Sequence, residues 1–373
     1  MQEFLDRLHQ ALVKKEATNS LRKLTLNNPD LVDFVSNDYL GLAENEETTS
    51  TIHSILSNYG LLHTHGSTGS RLLAGHSALA ADLEVFLADF YEAESALVFN
   101  SGYVANTALL STLPQKTDAI LYDERIHASL KEGARLSFAS RVPFQHNNLE
   151  HLERRLQAQE KPTFISIESL YSMDGDIAPL DAICQLASDY NAAVLLDEAH
   201  TTGIIGNEGK GLAILNNVAD KCFARVYTYG KGPGGHGAVI VGNQILTDFL
   251  INSARPFIYT TALPPYSLAS IWATTLTFQK AKEARSKLNE NVNCFLGQLV
   301  GNEGSPIQFI ATGSPETAKA LANHGQANGF NIKAVISPTV PEGQEGVRII
   351  LHSQNSIAEI EKLCQTIKEF MAN

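Results

Sequence analysis

From Ala96 onward, short apolar runs alternate with stretches whose hydrophobic positions recur every three or four residues. The runs are Ala96–Phe99, Ala119–Tyr122, Phe164–Ile167 and Ala193–Leu196, and Ala238–Val241 reads as a further strand after residue 231. Runs that stay apolar on successive positions bury both faces of a strand, so they predict a parallel sheet covered by helices on either side. Upstream, Phe4, Leu5, Leu8, Ala11 and Leu12 recur at helical spacing and predict an amphipathic helix over Glu3–Leu12, an arm lying on another surface. Leu31–Val35 reads as a short strand and Ala78–Tyr91 as a helix. Beyond the sheet, a helical stretch from Tyr266 to Leu299 precedes a mixed pattern. There Ile307–Ala311, Ile332–Val335 and Val347–Leu351 read as strands, Pro315–Asn328 and Ile357–Met371 as helices. The expected division is an N-terminal arm at 1–45, a large α/β domain at 46–265, and an interdomain helix with a small α+β C-terminal domain at 266–373.

A chain of 373 residues suits one large and one smaller domain rather than a single core. Its net charge of -12 argues against nucleic acid or an anionic membrane as partner, since either needs a basic face. Any anionic ligand must therefore be held by a local group of donors. Cys184, Cys222, Cys294 and Cys364 are far apart and in no metal-ligand spacing, which reads as a cytoplasmic protein with reduced thiols and no metal. The first fifteen residues lack the continuous apolar core of a signal peptide. No later stretch approaches the roughly 18 to 20 apolar residues of a membrane span.

Against that background one loop stands out. Val226 to Gly237 places a single lysine, Lys231, among five glycines and a proline, directly after an apolar run. Glycine allows close backbone approach to a ligand, and a displayed amine can form a Schiff base, the linkage used by pyridoxal phosphate. Other polar groups fall just past the carboxyl ends of predicted strands, where open α/β sheets bind their ligands. They are His127, Glu168, Ser172, Asp197 and His200. Asn100-Ser101-Gly102-Tyr103 opens a helix, so its free backbone N–H groups suit a phosphate as well as a simple serine cap. Asp197-Glu198-Ala199-His200 also occurs in helicase ATPases, but no G-x-x-x-x-G-K-[ST] loop accompanies it here.

The ordered series Ser36-Asn37-Asp38-Tyr39-Leu40-Gly41, Gly66 to Gly75, Phe99 to Tyr103, His127-Ala128-Ser129, Glu168 to Asp176, Asp197 to Gly203 and Thr228-Tyr229-Gly230-Lys231-Gly232 resembles the α-oxoamine synthases over nearly the whole chain. That resemblance implies the aspartate-aminotransferase fold (fold type I), with a mainly parallel seven-stranded sheet in the large domain. It also implies an acyltransferase that uses pyridoxal 5'-phosphate to condense an amino acid with an acyl-CoA or carrier-bound thioester, releasing carbon dioxide. By position, Lys231 is then the covalent anchor and α-proton base, Asp197 the partner of the pyridine nitrogen, and His127 the ring-stacking residue. His200 and Ser172 fall to the phenolic oxygen. Ser101, Gly102, Tyr103, Glu168 and Thr228 belong to the cofactor site, with Thr260 or Thr261 supplied by a second subunit of a homodimer. Arg22, Asn37, Thr339 and Arg348 fall to the substrates, Arg348 to the α-carboxylate. Within the family, Tyr229 to Gly232 and Ser337 to Pro341 are most similar to the members that join L-alanine to a pimeloyl thioester. Ile336 stands where many of those members carry arginine, a feature shared with members that join glycine to acetyl-CoA. An aminotransferase would share Lys231 and Asp197 but release no thiol.

Overall fold

The computed structural model describes residues 1–18 and 20–372. The chain divides into two compact units, one of Asn37–Ser172 with Asp176–Lys287, the other of Met1–Ser36, Met173–Gly175 and Leu288–Asn373.

The larger unit is built on seven strands: β1 (Ser95–Phe99), β2 (Ala119–Asp123), β3 (Ser140–Phe144), β4 (Thr163–Glu168), β5 (Ala193–Asp197), β6 (Cys222–Thr228) and β7 (Ala238–Gly242). Their order across the sheet is β1-β7-β6-β5-β4-β2-β3. Only β7 runs against its neighbours, pairing antiparallel with β1 and β6. The mainly parallel seven-stranded sheet expected from the resemblance is therefore present. All five apolar runs appear as strands, lengthened by a residue or two at their ends. Two strands lie outside those five runs: β6, which leads into the Lys231 loop, and β3, Ser-Arg-Val-Pro-Phe, whose alternating exposure and internal proline suit the sheet edge it occupies. Helices Glu46–Asn58 and Gln244–Ser253 are likewise additional, each started by an asparagine side chain that accepts a backbone N–H of the first turn. One contiguous core holds Leu121, Ile165, Ile167, Leu195 and Val226 from the strands and Leu109, Leu130 and Ile183 from the helices, all buried. At about 1.5–3 kcal/mol for each large apolar side chain removed from water, these runs outweigh any local preference of the intervening loops.

The stretch read as one helix from Tyr266 to Leu299 is two, Pro265–Lys280 and Lys282–Leu296, separated at Ala281 where ψ reaches 40°. The smaller unit carries the antiparallel sheet β8 (Ile307–Ala311), β9 (Lys333–Val335) and β10 (Gly346–Ile350), with β10 in the middle. Helices Pro315–Ala327 and Ile357–Met371 supply Leu321, Ile360 and Leu363 to its core. Val32–Asp33 pairs in parallel with Phe330–Asn331, so the expected strand at 31–35 is only two residues long. The N-terminal helix runs Gln2–Ala17, and its apolar residues Phe4, Leu5, Leu8, Leu12 and Val13 are exposed, with none buried in this chain. None of the described helices is long and apolar enough to cross a membrane, and all four cysteines are free thiols.

Candidate active site

The larger unit gathers its chemistry at the carboxyl ends of β4, β5 and β6. Glu168 and Asp197 are the last residues of β4 and β5 and are register partners, which sets two carboxylates side by side, nearly without exposure. Asp197 is held at both oxygens: Oδ1 accepts from the Ala199 N–H at 2.9 Å and Oδ2 from Asn106 Nδ2 at 2.7 Å. Asn106 lies in the helix Gly102–Thr112 and also reaches Ser129 Oγ at 3.0 Å. Ser129 Oγ in turn sits 2.7 Å from His127 Nδ1, so one chain of contacts fixes the carboxylate and the imidazole together. Burial lowers the His127 pKa against the opposing pull of Asp197, which keeps the half-buried ring neutral. Burial, with the Asp197 charge beside it, raises the Glu168 pKa; its Oε1 accepts the His127 backbone N–H at 2.5 Å.

Lys231 stands in the loop between β6 and β7. The loop is tied by the Gly234 N–H to Lys231 O at 2.8 Å, the Gly235 N–H to Tyr229 O at 2.7 Å and the Tyr229 N–H to Gly237 O at 2.9 Å. Gly234 has φ +70, and a Cβ there would meet Ala43 N at 2.5 Å, so both conformation and space call for glycine. Lys231 Nζ lies 2.9 Å from His200 Nε2, and His200 Nδ1 lies 2.6 Å from the hydroxyl of Tyr39.

A cavity of about 220 Å³ opens over these groups, walled by Ser101, Gly102 and Tyr103, by Asn106, His127 and Asp197, and by Thr228, Lys231 and His236. Ser101 Oγ accepts the Val104 N–H as the helix cap, and a Cβ at Gly102 would meet Thr228 Cγ2 at 2.5 Å. The backbone of the first helical turn thus faces the cavity with no side chain at Gly102 in the way. A lysine amine, a buried carboxylate opposite a neutral imidazole, and a helix N-terminus at one cavity are the donor set that pyridoxal phosphate requires: covalent anchor, ring-nitrogen partner, stacking face and phosphate cradle. Asn106 belongs to this wall, and its Oδ1 is buried without a hydrogen-bond partner among the described residues.

Not every expected residue lines that cavity. Ser172 is buried outside its wall, Glu168 lies behind His127, and His200 reaches it through Lys231. Thr260 and Thr261 are bonded within this chain to Asn100, whose Nδ2 donates to Thr260 Oγ1 at 3.4 Å and Thr261 O at 2.9 Å. Asn37 sits beside Tyr39, its Oδ1 3.3 Å from the tyrosine hydroxyl. The other three substrate candidates line a cavity of about 480 Å³ in the smaller unit. Arg22 donates to Thr339 Oγ1 at 3.1 Å there, and Arg348 shares the wall with Ile336, Lys319 and Lys333. Sequence reasoning gave no role to Asn106, Tyr39 or Lys333. Asn106 was detectable as a lone amide in an otherwise apolar helical stretch, Tyr39 stood within the Ser36-to-Gly41 motif without a role, and Lys333 carries no local signal.

The chain matches the family model of class I and II aminotransferases over residues 29–367. It is 39% identical over 393 residues to the 8-amino-7-oxononanoate synthase of Emericella nidulans, covering 98% of this chain and 95% of that protein. It is 34% identical over 378 residues to 8-amino-7-oxononanoate synthase 2 of Bacillus subtilis, at 98% and 96% coverage. Among solved structures, 8-amino-7-oxononanoate synthase from Francisella tularensis superposes with a TM-score of 0.78 at 28% identity, over 92% of this chain and 99% of that one. A serine palmitoyltransferase from S. paucimobilis with a bound PLP–myriocin aldimine superposes with a TM-score of 0.88 at 25% identity, over 100% and 98%. The fold, the lysine-centred cavity and these likenesses agree: the chain belongs to the class I and II aminotransferases and, within them, to the α-oxoamine synthases, a family of pyridoxal-phosphate-dependent acyltransferases.

Proposed function

We propose that this protein joins L-alanine to a pimeloyl thioester, releasing carbon dioxide and the thiol and forming 8-amino-7-oxononanoate for biotin biosynthesis. The observation that carries the chemistry is Lys231 at one cavity with the buried carboxylate of Asp197. The substrate pair is supported by the name shared by relatives that are 34% and 39% identical over almost the full chain.

Pyridoxal phosphate, when bound, supplies an electron sink for the charge left on the amino acid's α-carbon. Lys231 would hold it covalently, and its Nζ would accept the α-proton of the amino acid. Asp197, aimed by Ala199 and Asn106, places negative charge where the ring nitrogen keeps its proton. His127 presents a neutral imidazole face, and the N–H groups at Gly102 and Tyr103 receive the phosphate, with Thr228 beside them. His200 and Ser172 serve the phenolic oxygen. Arg348 binds the α-carboxylate, since a planar fork of donors matches it better than an ammonium does. Arg22 and Thr339 serve the acyl thioester, and Asn37 the amino acid. Thr260 or Thr261 of a second copy completes the phosphate site, which makes the working unit a homodimer.

Thiol release measured across alanine, glycine and serine, each with pimeloyl-, acetyl- and palmitoyl-CoA, tests the assignment. Alanine with pimeloyl-CoA is the expected pair. Turnover of glycine with acetyl-CoA and none of alanine would overturn the substrate reading and leave the family untouched. A second reading, serine with a long-chain acyl thioester, is favoured by the TM-score of 0.88 to serine palmitoyltransferase. It is the weaker of the two because sequence identity to that protein is 25%. Transamination, open to the wider aminotransferase family, would release neither thiol nor carbon dioxide.

A further inference from the structure

The cavity of about 480 Å³ in the smaller unit carries more positive charge than the assignments so far use. Arg22, Lys319, Lys333 and Arg348 all stand on its wall, and no aspartate or glutamate is among the described residues that line it. That is the reverse of the chain as a whole, which holds 40 acidic against 28 basic residues. The two lysines also line a second cavity of about 340 Å³, again without an acidic residue on its described wall. Between the cations the wall of the larger cavity is aliphatic, with Leu21, Val35, Met173 and Ile336, and it includes no aromatic ring.

The fold brings these charges together from separate elements. Lys333 opens β9 and is the register partner of Arg348 on β10, so both side chains leave the same face of the sheet. Opposed Cβ atoms in such a pair stand about 4.5–5.5 Å apart, and like charges placed there destabilise a sheet. Lys319 comes from the helix Pro315–Ala327, which turns Ala318, Leu321 and Ala322 into the core and leaves the lysine half-buried at the cavity. Lys333 Nζ donates to Thr25 Oγ1 at 3.3 Å, and Arg22 is held on Thr339 Oγ1 at 3.1 Å. A single α-carboxylate is matched by the fork of Arg348. Three further cations on the same wall suit a second negative charge, and the aliphatic surface between them suits methylene groups. It offers no ring on which a nucleotide base could stack.

We propose that Lys319 and Lys333, with Arg22, form a carboxylate-recognising end of the acyl site, so that the acyl chain this protein selects is one that ends in a negative charge. The preferred thioester is then a dicarboxylic one. Its methylene chain lies along Leu21, Val35 and Ile336, and its free carboxylate meets the ammonium groups of the two lysines. A monocarboxylic acyl group of the same length makes the same apolar contacts but brings no charge to that end. The lysines set which acyl chain is accepted and take no part in proton transfer. The inference deepens the proposed function and rests on its reading of this protein as one that takes an acyl thioester.

The test compares pimeloyl-CoA with heptanoyl-CoA, an acyl chain of equal length without the second carboxylate, on cofactor-loaded protein. Dissociation constants are measured by titration calorimetry without amino acid, so that the readout needs no turnover. Wild type is expected to bind pimeloyl-CoA roughly ten- to a hundredfold more tightly, the range of one or two hydrogen bonds to a charged group. In the double variant Lys319→Met/Lys333→Met most of that preference is lost, whereas Lys319→Arg/Lys333→Arg, which keeps both charges, retains it. The ratio of kcat/KM for thiol release from the two thioesters with alanine changes in the same way. Equal affinity of wild type for the two thioesters overturns the proposal, as does a preference unchanged in the methionine double variant. An equal loss for both thioesters overturns it too, since the lysines would then serve the phosphates of CoA. Should the methionine double variant not fold, the methyl ester of pimeloyl-CoA, neutral at its far end, is titrated into wild type, and binding equal to that of pimeloyl-CoA overturns the proposal. Failure of the underlying function has a separate signature, no thiol release from either thioester while the difference in affinity persists.

Discussion

Lys231 is the residue on which the assignment stands, and its removal has a specific consequence. Wild-type protein loaded with pyridoxal phosphate and treated with borohydride yields a reduced adduct on the Lys231 peptide, whereas Lys231→Ala yields none and retains only non-covalent cofactor. Asp197→Asn keeps that adduct but loses turnover by roughly two to four powers of ten, the scale of other preorganised site charges. Asn106, which aims Asp197, is worth less: Asn106→Ala removes one hydrogen bond to a charged acceptor, about 1.5–3 kcal/mol, and lowers kcat without abolishing it. Gly102 is tested through its neighbour. With a Cβ 2.5 Å from Thr228 Cγ2, Gly102→Ala costs about 1–3 kcal/mol of strain, read as a weaker Kd for pyridoxal phosphate. Gly102→Ala combined with Thr228→Ser, which deletes the clashing methyl, recovers most of it. Lysine, aspartate and glycine were all legible in the sequence because the chemistry demands those residue types. Asn106 and Tyr39 were not assigned because an amide and a phenol are ordinary buried residues until their partners are known.

Around β2 and the loop 169–177, an ionic cluster ties sheet to loop. His146 bonds Asp123 on β2 at 2.9 Å through Nδ1 and Asp176 at 3.0 Å through Nε2, and its ring meets Tyr171 edge to face at 4.5 Å. Burial alone would lower the His146 pKa, but the two carboxylates raise it to about 9. Both aspartates are shifted down, Asp123 against the effect of burial and Asp176 chiefly through the His146 hydrogen bond. The signs follow by linkage. A raised histidine stabilises fully below its unfolded value near 6.5, and that contribution is lost as pH rises through about 9. Depressed aspartates stabilise above their unfolded value near 3.8, and that contribution is lost as pH falls through their lower folded values. Thermal melts of wild type should therefore fall between neutral pH and pH 10, and His146→Gln should start lower and fall less over the same range. Equal slopes for the two proteins would show that the cluster contributes nothing there. No sequence pattern announced this group, since its three members lie on separate elements that only the folded sheet and loop bring together.

At the scale of the molecule, the proposed sharing of sites between two copies can be tested by complementation. Lys231→Ala and the double variant Thr260→Ala/Thr261→Ala place their defects on opposite contributions to one site, so coexpression should restore activity above either parent. Random pairing of a C2 dimer gives an upper limit of about a quarter of wild type. No recovery, or a monomer by sedimentation, would refute the shared site. How far the chain could be read beforehand follows from the range of the forces involved. The continuous apolar runs marked strands buried on both faces and hence the parallel part of the sheet, but not the antiparallel sense of β7. The glycine-rich loop marked Lys231, and the position of polar residues just past strand ends marked Glu168, Asp197 and His200. What tertiary structure alone decided was geometry between distant segments. The register that pairs Glu168 with Asp197, the edge position that admits Pro143 in β3, and the break at Ala281 are such features. So is the 2.6 Å contact between Tyr39 and His200, 161 positions apart. Local sequence fixes backbone preference and which faces avoid water, both set within a few residues. Hydrogen-bond partners and proton placement depend on distances of tenths of an ångström between groups that meet only when the core is packed.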